Sequence, residues 1–286
     1  MSAQILDGRK VRDLLTRGLV EKFANLSAKT MAIIQVGDRA ESTSYIKGKK
    51  AFAEKIGVAT QHIQLPEDAT LEMVLEKIEN CNGDPTIRGI IVQLPLPLAL
   101  DRDIIINAID PEKDVDALTS ERVKGWTEGR EDALWPATVR GIKTLLEFYK
   151  IDLFGKKVVI IGRSMLVGKP LAAMCISENA TVTVCHSKTA DLARETLDAD
   201  IVISAAGKQN LIGKEQVSPG QIVIDVGINT VEGEKLDDEI ADRKLVGDVD
   251  FEEVSKIVAM ITPVPGGVGP MTVLGLFQNL LDLCES

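Results

Sequence analysis

Short runs of β-branched and aliphatic residues alternate with helix-patterned stretches along nearly the whole chain, and this alternation limits the fold more than any single motif. Strands that recur with a helix between them pair in parallel, because a parallel crossover needs about a dozen residues or more. The runs "MAIIQVGD", "QHIQL" and "IRGIIVQLPLP" read as strands, and the opening segment and "TLEMVLEKIENC" read as helices among them. A second run begins at Lys156 with "KKVVIIG", "ATVTVCH", "DADIVISAAG" and "QIVIDVGI", then a short "KLVGDVD" and a terminal helix, "MTVLGLFQNLLDLCES". Between the two runs lie "PEKDVDALTSERVKGWTEGREDALWP", whose weak periodicity suggests a loop, and "TVRGIKTLLEFYK", a connecting helix. The expected fold class is α/β with two domains. Residues 1–138 with 270–286 would form an N-terminal α/β substrate domain, and 139–269 a Rossmann-like dinucleotide-binding domain. A cleft between them is the default ligand site.

Bulk properties narrow the function. At 286 residues the chain is long enough for two domains, and its net charge of −10 disfavours nucleic acid and anionic membrane surfaces as partners. Cys81, Cys175, Cys185 and Cys284 are scattered without a Cys-x-x-Cys pair, and only His62 and His186 accompany them. No metal site is legible, and a reducing compartment, the cytoplasm, is expected. The start, "MSAQILDGRKVRD", lacks the apolar core of a signal peptide. The uncharged stretch Ile257–Phe277 contains prolines and glycines, so it reads as a loop followed by a helix rather than a membrane span.

"KKVVIIGRSMLVGKPLAAMC" has the order strand, glycine turn, helix, with Pro170 in the first helical turn. Such a turn aims backbone N–H groups and the positive helix end at an anion, commonly a pyrophosphate. The Gly162–Gly168 spacing departs from G-x-G-x-x-G, and a plain packing turn is the alternative. At the end of the next strand an NAD site usually carries an acid for the ribose 2′-hydroxyl. Here "CHSKT" supplies His186, Ser187 and Lys188 instead, and Arg163 follows Gly162 directly. Donors and cations without a carboxylate favour NADP.

Ser42–Gly57, "STSYIKGKKAFAEKIG", reads as one helix, N-capped in its Ser/Thr cluster and closed by glycine. At about 100° per residue, Tyr45, Ile46, Phe52, Ala53 and Ile56 share an apolar arc, and Lys49 falls inside it. A lysine there either snorkels to water or lines a cleft, where desolvation lowers its pKa and readies it for proton transfer. Tyr45 and Ser42 lie on the same face. Gln93 ends the strand of "VQLPLP", Asp114 and Asp116 sit in "PEKDVDA", and "TPVPGGVGPMT" combines rigid prolines with glycines that permit close approach to a ligand.

Taken together, "SYIKGKK", "VQLPLP", "PEKDVDA", "IGRSMLVGKP", "VCHSKT", "DVGIN", "GDVDF" and "TPVPGGVGPMT" resemble the bifunctional methylenetetrahydrofolate dehydrogenase/methenyltetrahydrofolate cyclohydrolase family over nearly the whole chain. The resemblance implies a folate substrate, NADP as cofactor, a homodimer, and a place in one-carbon metabolism and purine biosynthesis. It also implies that the C-terminal helix completes the N-terminal domain. By it, Lys49 is the catalytic lysine, supported by Gln93, with Tyr45 stacking on the folate and Asp116 gripping the pterin. Ser42, Val92, Leu94, Pro265, Gly266, Gly267, Val268 and Gly269 would border the substrate. Gly162, Arg163, Ser164, His186 and Ser187 would line the cofactor site, with Ile228 nearby. A monofunctional dehydrogenase is the nearest alternative. A dehydrogenase of a small hydroxy or amino acid and a non-catalytic nucleotide sensor are further ones. Three departures from the family pattern stand out: Ala117 where glycine is common, Ala137 and Val139 in "WPATVRG", and Met165 in the nucleotide turn.

Overall fold

The structure is a computed structural model describing residues 2–237 and 240–285. In chain order its first half comprises β1 (Gln4–Ile5), α1 (Gly8–Ala24), β2 (Thr30–Val36), α2 (Ala40–Lys55), β3 (Thr60–Leu65), α3 (Leu71–Gly83), β4 (Ile87–Val92), α4 (Arg102–Asn107), α5 (Ser120–Thr127) and α6 (Ala137–Phe148). The second half continues with β5 (Lys157–Ile161), α7 (Gly168–Ser177), β6 (Thr181–Cys185), α8 (Leu192–Thr196), β7 (Ile201–Ser204) and β8 (Ile222–Asp225). It ends with β9 (Asn229–Asp237), β10 (Ile240–Val246), α9 (Phe251–Val254), β11 (Met260–Ile261) and α10 (Val268–Glu285). Two compact units result, one of Asp13–Arg140 with Val273–Ser286 and one of Met1–Arg12 with Gly141–Thr272.

In the first unit a three-stranded parallel sheet has the order β3-β2-β4. Met31, Ala32, Ile33 and Ile34 of central β2 are all fully buried, as expected of a parallel strand covered on both faces. One face packs Ala32, Ile34 and Val36 with Ile90 and Val92 of β4 and with Val74 and Ile78 of α3. The Thr70 hydroxyl caps α3 by accepting from the Met73 N–H. The segment expected as loop contains α5, whose buried Trp126 pairs with Trp135 at 6.4 Å between ring centroids. So short a helix shows little periodicity in its sequence. From α10, Phe277 packs on Phe52 of α2, and buried Asn279 donates to the carbonyls of Val115 and Trp135, both at 2.9 Å.

In the second unit six parallel strands follow the order β1-β11-β8-β7-β5-β6, and β9 and β10 form a separate antiparallel pair. The first crossover runs from β5 out to β6 and the next returns past β5 to β7. The carboxyl ends of β5 and β7 therefore flank a topological switch point, where open α/β sheets bind ligands. The expectation that residues 1–12 join the other unit is corrected, because β1 pairs with β11 through Gln4–Met260 and Ile5–Ile261. The Gly8 and Arg9 N–H groups then both donate to the Gly266 carbonyl, and a Cβ at Gly8 would lie 1.9 Å from the Gly267 oxygen. A strand of two residues has no alternation to read.

Asn279→Ala should destabilise the chain by about 2 kcal/mol or more, since two buried carbonyls lose their donor. Urea unfolding checks this, and a loss below about 0.5 kcal/mol would deny that α10 is anchored through this amide.

Candidate active site and cofactor cavity

Lys49 projects from α2, Gln93 follows the last residue of β4, and Asp116 lies on the loop after a 3₁₀ turn at Pro111–Lys113. All three belong to the same unit. The Lys49 Nζ donates to Gln93 Oε1 at 3.0 Å. Gln93 is held on both sides: its backbone N–H donates to the Ile34 carbonyl at 2.8 Å and its Nε2 to the Leu94 carbonyl at 2.8 Å. Lys49 is partly buried, and burial lowers its pKa while the nearby Asp116 carboxylate pulls the other way. Burial raises the Asp116 pKa, opposed by Lys49, reinforced by Asp114 and opposed by a hydrogen bond from the Ala137 N–H at the start of α6.

Asp114 has a different task. It is 1% exposed and accepts from the backbone N–H groups of Asp116 (3.2 Å), Leu118 (2.8 Å) and Thr119 (2.8 Å), so it shapes the loop that presents Asp116. Within that loop Ala117 has φ +54, the left-handed region glycine favours, so this departure from the resembling family keeps the glycine-like backbone.

The helix of Lys49 differs from expectation at its start. It begins at Ala40, its N-cap is Arg39 and no side chain caps it, so the Ser/Thr cluster lies inside the first turns. The closing glycine is as expected, Gly57 having φ +73 just beyond the C-cap. Ile46, Phe52, Ala53 and Ile56 are buried, but Tyr45 is 42% exposed and leaves the apolar arc for a position one turn from Lys49. Ser42 is buried on the same helix. Val92 is buried at the end of β4, next to Gln93 and Leu94. Pro265, Gly266, Gly267, Val268 and Gly269 fall in the other unit, apart from the one holding Lys49.

The carboxyl ends of β5, β6 and β7 enclose a cavity of about 520 Å³. Gly162, Arg163, Ser164, His186 and Ser187 line it, as expected. Gly162 has φ +129, and a Cβ there would lie 2.3 Å from the Ala205 oxygen, while one on Gly168 would lie 2.2 Å from the Gly162 oxygen. These two positions need glycine whatever the ligand. His186 is fixed by accepting the Lys188 N–H at Nδ1 (3.1 Å), which leaves Nε2 as its donor. Ile228, expected nearby, is 42% exposed and does not itself line this cavity. Thr189, after β6, also lines it, as do Ala205, Ala206 and Lys208, which were not anticipated because the loop after the third strand, β7, carries no glycine fingerprint. Among the described residues no carboxylate lines this cavity, whereas Arg163 and Lys208 do, so the residues fit an anionic dinucleotide bearing an extra phosphate.

A dinucleotide unit at a switch point, joined in sequence to a parallel α/β unit with a partly buried lysine, defines a two-unit dehydrogenase class. Comparison with known proteins narrows it. The family model for the tetrahydrofolate dehydrogenase/cyclohydrolase catalytic domain matches residues 6–116, and that for the NAD(P)-binding domain of the same family matches 136–286. The "Bifunctional protein FolD" of Lactobacillus acidophilus is 45% identical over 285 residues, covering 98% of this chain and 96% of that protein. The crystal structure of the bifunctional FolD enzyme of Campylobacter jejuni superposes with a TM-score of 0.93 at 41% identity, covering 99% of each chain. The Trypanosoma brucei enzyme, solved with NADP cofactor and inhibitor, gives 0.95 at 34% identity, covering 100% of this chain and 98% of that one. The chain belongs to the tetrahydrofolate dehydrogenase/cyclohydrolase family.

The desolvated amine makes stability depend on pH. An unfolded lysine keeps its proton to about 10.4, whereas the folded Lys49 releases it earlier. Between those points the unfolded chain binds more protons, so stability rises with pH. Urea titrations should show a rise toward about pH 10.4 in the wild type that Lys49→Met lacks. Identical slopes in the two proteins would mean that the amine is solvated.

Proposed function

We propose that this chain oxidises 5,10-methylenetetrahydrofolate to the methenyl form with NADP and then hydrolyses that product to 10-formyltetrahydrofolate, with Lys49 as the proton-transfer group. The observation carrying this reading is the 3.0 Å bond from a desolvated Lys49 amine to Gln93, with Asp116 close enough to act on its charge. Bound NADP supplies the hydride acceptor. Arg163, Ser164, His186 and Ser187 would hold it. Lys208, which also lines the cavity, would add a second cation.

In the first reaction the folate nitrogens delocalise the positive charge left on the one-carbon unit, so the protein's work is alignment. Asp116 accepts paired hydrogen bonds from the amino-pyrimidinone edge of the pterin and fixes its plane. Tyr45, exposed beside Lys49, stacks on the aromatic part of the folate. Burial disfavours the charged form of Lys49, which lessens its repulsion of the methenyl cation. In the second reaction water adds to the methenyl carbon, its proton passes to Lys49, and the amine returns a proton to the ring nitrogen as the bridge opens. One water is consumed and one proton released. Gln93 holds the amine in place for both transfers.

The four cysteines are unpaired, which supports a reducing, cytoplasmic setting. The family resemblance supports a homodimer and a role in supplying one-carbon units for purine biosynthesis. No helix among the described residues is long and apolar enough to cross a membrane.

Lys49→Met should lower methenyl hydrolysis by about 100-fold or more and reduce the dehydrogenase less. Wild-type hydrolysis in that variant would refute the assignment. Asp116→Ala should raise KM for folate in both reactions, and a loss confined to hydrolysis would exclude it as the pterin anchor. With the wild type, kcat/KM should favour NADP over NAD by about tenfold or more, since a 2′-phosphate gains charge-assisted contacts. Equal values would contradict the reading of His186–Lys188.

A further inference from the structure

Two acidic residues of the dinucleotide unit are buried among backbone groups, and neither of them itself lines the cavity. Asp225 ends β8 and is 2% exposed, and Asp248 follows β10 and is 0% exposed. Asp248 collects five donors. Its Oδ2 accepts from Ser204 Oγ (3.0 Å) and from the N–H groups of Ala206 (2.7 Å) and Gly207 (3.2 Å). Its Oδ1 accepts from the Lys208 N–H (2.8 Å) and Asn229 Nδ2 (3.1 Å). Three consecutive N–H groups of the loop after β7 are thereby turned toward one carboxylate, beneath the stretch that forms part of the cavity wall.

Asp225 holds Asp248 from below. Its Oδ1 accepts from the N–H groups of Gly227 (2.9 Å) and Asp248 (3.0 Å), and its Oδ2 accepts from the Val249 N–H (2.9 Å). Neighbouring glycines make room for both carboxylates. A Cβ at Gly227 would fall 2.1 Å from Asp248 Oδ1, and one at Gly247 would fall 1.8 Å from Asp225 Oδ2. "DVGIN" and "GDVDF" are therefore one device split across the β9–β10 excursion: each supplies a buried acid, and the glycine beside each makes room for the other's acid.

We propose that Asp248, braced by Asp225, is a positioning residue for the dehydrogenase reaction, fixing the Ala206–Lys208 loop so that the cavity accepts NADP. A loop whose N–H groups all point to Asp248 has none left for a phosphate. It offers the methyl groups of Ala205 and Ala206 to a ring and leaves the phosphates to the Gly162–Ser164 turn. Without Asp248 those N–H groups are unpaired and the loop turns to find other acceptors. Lys208 moves with it.

The test separates cofactor positioning from general damage, because methenyl hydrolysis needs no hydride acceptor and Lys49 lies in the other compact unit. In Asp248→Asn, whose Nδ2 faces donors where an acceptor is needed, KM for NADP should rise about tenfold or more, while kcat at saturating NADP and the KM for folate change less than about threefold. Methenyl hydrolysis should stay near wild type. Gly227→Ala, which displaces the same carboxylate from the other side, should give the same split. Ser204→Ala removes one donor and keeps the carboxylate in place, so its KM for NADP should rise only about two- to fivefold. It carries the test should Asp248→Asn fail to fold. An unchanged KM for NADP in Ser204→Ala, or in a folded Asp248→Asn, would overturn the proposal. So would equal losses of both activities.

Discussion

The proposed chemistry rests on drawing one lysine amine partly out of water without holding its charge by a direct salt bridge. A lysine placed against a carboxylate would hold its proton too firmly to exchange it, and one open to solvent would keep its ordinary pKa near 10.4. Here the near neighbour is the neutral oxygen of Gln93, which bonds the amine in either protonation state, whereas Asp116 acts mainly as a charge nearby. The amide is trapped in turn: its backbone N–H belongs to β2 and its side-chain N–H to the next carbonyl. The parallel sheet therefore fixes the Lys49 amine to within one hydrogen bond.

The architecture was legible where periodicity is strong. β2, α3, β4 and β5 are long enough for their apolar pattern to state both type and burial, and their alternation implies parallel pairing. Failures occur where elements are short or decided by distant partners. Gln4–Ile5 becomes a strand only because β11 lies beside it, and α5 exists largely because Trp126 packs on Trp135. The start of α2 misled for another reason. Ser42, Thr43 and Ser44 have the right chemistry for a cap, but the backbone turns helical before them at Ala40, and the hydroxyl of Thr43 instead accepts a hydrogen bond from Gln35.

The site shows the same division. Lys49 was conspicuous because an amine in an apolar arc violates the helical pattern, and Gly162 because strand–glycine–helix has a physical rationale of its own. Tyr45 looked like core on a helical wheel, since a wheel shows direction but not what covers each side. Ala206 and Lys208 carried no signal at all. Their place at the cavity comes from the strand order, which puts the loop after β7 beside the turn after β5, and strand order is not written in local sequence.

Aspartate shows most clearly what residue type alone leaves undecided. Asp114 and Asp116 stand two positions apart in one motif, and either can serve a ligand. The structure distinguishes them by their hydrogen-bond partners: Asp114 gathers three N–H groups of its own loop, whereas Asp116 receives the Ala137 N–H and keeps acceptor capacity beside Lys49. Asp225 and Asp248 resemble Asp114. Burial pushes the Asp225 carboxyl up to about 7, with Asp248 adding to the rise and three backbone N–H groups opposing it, so its ionisation is a cost met by loop order rather than by substrate. Both units thus use the same device: a buried carboxylate collects the donors of an irregular segment and thereby sets which groups face the ligand. Asp116, proposed to hold the substrate, is the acid with lone pairs left over.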